Sequence, residues 1–227
     1  MQKKIYKVGG LFSGVGGIEL GFEKAGFEIA WANEIDKNSC ITYRKNFSHT
    51  LYEDDVRKIK GNDLKSVDVL CGGFPCQAFS IAGYRKGFDD DRGNVFFEII
   101  RLINELKRKP KVLFLENVKN FKSHDKGRTF QTVVNIIQDN GYSVFFDVLN
   151  TCDYTKIPQN RERTFLICFR GEHNWEFSRK KNLVVESLLK GFLPKESKVI
   201  KASKSSLNQA KLWRTSITDK INICIQN

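Results

Sequence analysis

Short apolar runs alternate with helical patterns through the first 170 residues, and this alternation constrains the fold more than any other feature. Ile5–Phe12, Phe27–Asn33, Thr50–Tyr52, Val67–Cys71 and Lys111–Leu115 read as strands, and Ser143–Leu149 and Thr164–Phe169 as two late ones. Between them, apolar spacing predicts helices over Gly17–Ala25, Asn94–Lys107 and Thr129–Gln138, and Asp36 caps a fourth that runs to about Asn46. Asn140-Gly141 stops the last of these helices. Strands separated by helices predict a parallel, Rossmann-like α/β sheet of seven strands with helices on both faces. Lys111–Leu115, apolar after its first residue, should lie at its centre.

Composition narrows the function classes. The 227 residues are 41% hydrophobic with 18 Phe, enough for a sizeable core. No stretch approaches the roughly 18 apolar residues of a membrane span, and the start Met1-Gln2-Lys3-Lys4 lacks the apolar stretch of a signal peptide. The six cysteines are scattered, with no close pair of the zinc-site type, so no metal is expected and reduced thiols in the cytoplasm are the natural reading. The net charge of +12 suggests a polyanionic partner, although solvated lysines give the same total. Half of that charge falls after Arg170, where 171–227 hold 11 Lys/Arg and 5 Asp/Glu. The composition changes at this point, which divides a domain over 1–170 from a basic segment over 171–227 that reads as a linker or the start of an incomplete second region.

Several polar residues fall at the ends of strands, where open α/β sheets bind ligands. Gly72-Gly73-Phe74-Pro75-Cys76 follows the fourth strand. The glycines there permit a sharp turn and a close approach, and Pro75 stiffens the backbone that aims the Cys76 thiol. Such a cysteine, taken alone, is equally a buried structural residue. The first strand runs into Phe12-Ser13-Gly14-Val15-Gly16-Gly17, a glycine turn that makes room for a nucleotide-like ligand. It departs from G-x-G-x-x-G, because Glu19 stands at the third glycine position. Glu34 ends the second strand, 20 residues after Gly14, where a carboxylate accepts hydrogen bonds from ribose hydroxyls or else serves the dipole of the next helix. Asp55 follows the third strand, either as a surface acid or as a partner for an adenine amino group. Glu116-Asn117-Val118 puts a carboxylate at the same sheet edge as Cys76, and Gln159, Arg161 and Arg163 alternate so that an extended backbone would turn them to one face. The polar loop Gly87–Asn94 has the character of a lid or of any exposed loop.

In this order, the glycine turn, the acid after strand two, P-C-Q, R-G-N, E-N-V and Q-N-R-E-R resemble the cytosine-5 DNA methyltransferases over roughly residues 5–170. The resemblance implies their fold, with one late antiparallel strand, and S-adenosylmethionine as methyl donor. Phe12, Gly14, Gly17, Glu34, Ile35, Asp55, Pro75 and Val95 would line the donor's site. Cys76 would add to carbon 6 of a flipped-out cytosine, Glu116 would serve ring nitrogen 3, and Arg161 and Arg163 would hold the base and help to lower the thiol pKa. Gln77, Ser80, Asn117 and Gln159 would contact substrate. The partner implied is double-stranded DNA, within a restriction-modification system. Related enzymes that act on tRNA, and an inactive remnant, are the alternatives.

The chain departs from the family pattern in two places. Gly10 stands where relatives often carry an acid. Residues 171–227 hold nothing like the family's target-recognition region and last motifs, so a split enzyme completed by a second chain is expected, with a truncated product or fragment and a free-standing minimal form as the alternatives.

Overall fold

The structure is a computed structural model and describes residues 5–75, 95–154 and 159–177. A first compact unit takes in Met1–Val148 and Arg163–Phe177, and the described part of a second lies within Leu149–Glu162. Seven strands form one sheet: β1 (Lys7–Leu11), β2 (Glu28–Asn33), β3 (Thr50–Tyr52), β4 (Val69–Gly73), β5 (Val112–Val118), β6 (Tyr142–Asn150) and β7 (Glu162–Arg170), in the order β3-β2-β1-β4-β5-β7-β6. The first five pair in parallel, and β7 runs antiparallel to β5. The described helices are α1 (Gly17–Lys24), α2 (Lys37–Asn46), α3 (Val95–Glu105), α4 (Arg128–Asp139) and the single turn α5 (Thr151–Tyr154).

Local chemistry sets the helix ends. Asp36 accepts from Ser39 N at 2.7 Å and caps α2, and Gly141 follows α4 at φ 87°, a conformation that favours glycine. The larger core cluster joins Leu70, Leu113, Leu115 and Leu166 of the sheet to Ile99, Leu102 and Ile103 of α3 and Val133 and Ile137 of α4. A smaller cluster, with Val8, Ile29, Val69 and Cys71, packs against Ile18 and Phe22 of α1. Burying side chains of this size stabilises by about 1.5–3 kcal/mol each, before conformational entropy is counted.

The structure departs from the sequence reading at the ends of two strands. β5 continues through Glu116, Asn117 and Val118, because antiparallel β7 supplies ladder partners along its whole length, from Val112↔Phe169 to Val118↔Arg163. Gly72 and Gly73 close β4 and do not form a turn. Leu11 of β1 comes so near that a Cβ on Gly72 would sit 2.7 Å from the Leu11 carbonyl oxygen. Beyond Arg170, Trp175 packs on Phe145, Phe169 and Phe177 with ring centroids 5.9, 5.8 and 4.7 Å away.

Candidate active site

The strand order reverses direction at β1, so the carboxyl ends of β1 and β4 flank the crevice where sheets of this kind bind ligands. The glycine turn after β1 is tightly wound. Phe12, Gly14 and Gly16 have φ of 54°, 55° and 91°. For Phe12 the left-handed conformation costs about 1 kcal/mol, a strain of the sort that gathers at functional sites. Gly16 is obligatory, since a Cβ there would collide with the rings of Phe47 and Tyr43. Gly14 and Gly17 differ from it: a Cβ on either would meet nothing within 4 Å, so both face open space at the amino end of α1.

Glu34 ties this turn to the start of α2. Its Oε2 accepts from Gly14 N at 2.7 Å, and its Oε1 accepts from Ile35 N and Asp36 N, each at 2.8 Å. The side chain is nearly buried, whereas Ile35 beside it is 63% exposed. Asn33 supports the same corner by donating from Nδ2 to the carbonyls of Tyr52 and Asp54. Asp55 accepts from Nε and Nη2 of Arg57, which holds its carboxyl below the usual range, and it also accepts from Arg57 N. Open glycines, a carboxylate and an exposed isoleucine at one sheet edge make a cradle suited to a nucleoside-bearing ligand.

At the end of β5, the Oε1 of Glu116 lies 2.9 Å from Nε of Arg163 on β7. Both side chains are about one-fifth exposed, sheltered yet reachable. Register places Glu116 opposite Gly73, and a Cβ on Gly73 would lie 3.2 Å from its Oε2. Neighbouring Asn117 is buried and donates from Nδ2 to the Phe74 carbonyl at 3.0 Å. Its amide supports the chain that leads to position 76. The Phe74 ring is anchored as well, 5.5 Å from Phe96 and 5.4 Å from Phe121, and Pro75 beyond it is exposed. Val95 opens α3, half-buried.

Cys76, Gln77, Ser80 and the remainder of the loop through Asn94 lie outside the described residues. Gln159 and Arg161 are exposed and belong to the second unit. There, Arg161 N donates to Asn150 Oδ1 at 2.9 Å, and its carbonyl accepts from Thr151 N. β7 begins at Glu162, so of the three alternating residues only Arg163 is on a strand. Burial raises the pKa of the Cys40, Cys71 and Cys168 thiols and keeps them protonated, which makes them poor nucleophiles.

Sequence reasoning missed Asn33, the support Asn117 gives to Phe74, and Glu19. The Glu19 side chain folds back from α1 beneath β1, and its Oε1 meets the Ser13 hydroxyl at 2.5 Å. A Cβ on Gly10 would collide with that carboxylate, so the glycine at position 10 leaves room for it. The only visible signal was a carboxylate interrupting a glycine motif.

A family profile described as C-5 cytosine-specific DNA methylase matches residues 6–224. The chain belongs to this family. Among its methylase relatives, the type II methyltransferase M.Bsp6I of Bacillus sp. (strain RFL6) is 52% identical over 175 residues, an alignment that covers 76% of this chain and 55% of the relative. The type II methyltransferase M.HhaI of Haemophilus parahaemolyticus is 44% identical over 190 residues, covering 83% of this chain and 57% of the relative. This methylase chain therefore spans about half the length of the curated relatives it matches. Its fold is also that of the methyltransferase EhMeth of Entamoeba histolytica, with a TM-score of 0.63 at 24% identity over 80% of this chain and 58% of that one. The S. pombe Dnmt2 methyltransferase gives 0.61 at 18% identity over 87% and 58%.

No described helix of this methylase-family chain is long and apolar enough to cross a membrane.

Proposed function

We propose that this chain carries the catalytic part of an enzyme that methylates carbon 5 of cytosine in double-stranded DNA. The observation that supports this reading best is the Glu116–Arg163 pair at the carboxyl edge, with Glu116 Oε2 beside Gly73, three residues before Cys76. A carboxyl and a guanidinium at this edge, with a thiol three residues after Gly73 in the sequence, are the groups that addition to a pyrimidine ring needs.

In this reading the Cys76 thiolate adds to carbon 6 of the ring, and the S–C bond turns carbon 5 into an enamine-like nucleophile. Glu116 places a proton or a hydrogen bond at ring nitrogen 3 and stabilises the adduct, while Arg163 holds the base carbonyl and keeps the Glu116 carboxyl oriented. Arg161 would help to order the site and Gln77, Ser80 and Gln159 would contact substrate, whereas Asn117, buried with its amide on the Phe74 carbonyl, would act through the chain that leads to Cys76. Once carbon 5 has lost its proton, the thiolate leaves and aromaticity returns. The cytosine must leave the duplex stack to reach Cys76, at a cost of a few kcal/mol.

S-adenosylmethionine, when bound, supplies an electrophilic methyl group for carbon 5. Phe12, Gly14 and Gly17 would line its pocket, with Glu34 toward the ribose, Ile35 against the adenine, Asp55 toward the amino group, and Pro75 and Val95 closing the remaining side. Oε1 of Glu34 already accepts two backbone N–H groups and Oε2 one, so of about four lone-pair sites the one left for a ribose hydroxyl is on Oε2.

We place catalysis within 1–170 and read the rest of 171–227 as the beginning of a recognition region. The share of the relatives' length that this chain does not span would supply target recognition. The setting would be a cytoplasmic restriction-modification system. Transfer of labelled methyl groups to duplex DNA, with transfer to tRNA as the control, tests the proposal. Labelled DNA supports it, and labelled tRNA with unlabelled DNA rejects it.

A further inference from the structure

We propose that the Glu19 carboxyl, buried beneath the glycine turn, locks through Ser13 the backbone on which the methyl donor rests, and that it does so as the neutral acid. The inference rests on the donor-binding reading given above and concerns a residue the methylation chemistry does not use.

The geometry is specific. Glu19 is 1% exposed, although it lies in the first turn of α1. Its Oε1 pairs with the Ser13 hydroxyl at 2.5 Å, and its Oε2 is buried without a hydrogen-bond partner. Ser13 N in turn donates to the Asn33 carbonyl at 3.0 Å, and the Ser13 carbonyl accepts from Gly16 N at 2.8 Å. The turn is therefore held at Ser13 by Glu19 and at Gly14 by Glu34.

The groups that face Glu19 are Ser13 from the turn, Glu34 from the end of β2, Tyr43 from α2 and Cys71 from β4, all neutral or negative. A buried carboxylate with one oxygen unpaired and no cation among these neighbours is a poor anion. Burial raises the Glu19 pKa, and the nearby Glu34 charge adds to the effect. The neutral acid keeps the bond that Ser13 donates to Oε1 and buries no charge. Ionisation would set a second negative charge beside the Glu34 clamp.

Calorimetric titration of the full chain with S-adenosylmethionine tests the lock in the wild type, E19Q, E19A and S13A. E19Q, a neutral mimic, should bind within a few-fold of wild type, whereas E19A and S13A should bind about tenfold more weakly, as expected for one lost hydrogen bond. Wild-type affinity should fall as pH rises through Glu19 ionisation, and that of E19Q should not. Melting temperatures without the donor judge the lock by a separate route. A carboxyl whose folded pKa is raised gives stability that is fully present below its unfolded value, near 4.5, and is lost as pH rises toward the folded value. Wild type should therefore lose stability above that pH relative to E19Q. Equal pH slopes for wild type and E19Q, or E19Q binding as weakly as E19A, would overturn the inference. A wild-type chain that binds no donor at all overturns the functional reading and the donor half of this one, and the melting comparison still decides whether Glu19 carries its proton in the fold.

Discussion

Glu116 and Arg163 meet across two antiparallel strands, Oε1 to Nε at 2.9 Å, because the register sets Val118 opposite Arg163 and leaves Glu116 two residues along the same face. The long Arg163 side chain spans that offset. If this carboxyl serves the cytosine ring, E116Q should lower kcat for methyl transfer by about 10²–10⁴, the usual contribution of a positioned acid, with little change in KM for the donor. R163K keeps the charge but loses the planar fork, and it should also lose rate. Steady-state transfer to DNA measures both. An E116Q enzyme at wild-type rate would remove Glu116 from the chemistry.

Asn117 holds the Phe74 carbonyl from a buried position, two residues ahead of Cys76. Replacement by Ala removes that donor and should cost about 1 kcal/mol in urea unfolding. It should also slow methyl transfer, since the chain leading to the thiol loses a tether.

A pair of glycine substitutions separates packing from binding. G72A forces a Cβ to within 2.7 Å of the Leu11 carbonyl oxygen between paired strands and should destabilise by about 1–3 kcal/mol. G17A points into open space, so its stability should stay within about 0.5 kcal/mol of wild type, while affinity for S-adenosylmethionine drops. Equal melting temperatures for G72A and wild type would contradict the close β1–β4 contact.

Acid sensitivity should arise at His49. Its ring nitrogen lies 2.6 Å from the Tyr43 hydroxyl, and burial lowers its pKa from the ordinary 6.5. The unfolded chain therefore takes up this proton before the folded one, and stability is lost as pH falls below about 6.5. Melting temperatures measured between pH 7 and pH 5 should fall for wild type and fall less for H49Q. Because Tyr43 and Phe47 press on Gly16, the same acid range should loosen the glycine turn.

Much of the scaffold was legible because periodicity reports which face of an element is buried. Thr50–Tyr52 was read with its observed limits, and Asp36 was read as the cap it is. The end of β5 was not legible, because the reading followed hydrophobicity and stopped at Leu115. The polar residues beyond it stay in the strand only through β7, about 46 residues later in the chain. Gly72 and Gly73 resemble turn residues until the distance from Leu11 is known. The links Asn117–Phe74 and Ser13–Glu19 are contacts of single side chains and leave no periodic trace. At the candidate site the sequence named Glu116, Arg163, Glu34 and the glycines. The frame that holds them became visible only in three dimensions.

The most direct test of the account uses DNA containing 5-fluorocytosine, on which carbon 5 cannot release its substituent after methylation. The full chain, with S-adenosylmethionine and the recognition portion supplied in trans, is expected to form a denaturation-resistant complex. Mass spectrometry should map that complex to Cys76, and C76A should abolish it. A complex that persists in C76A, or no complex when both donor and DNA are shown to bind, would contradict the central claim.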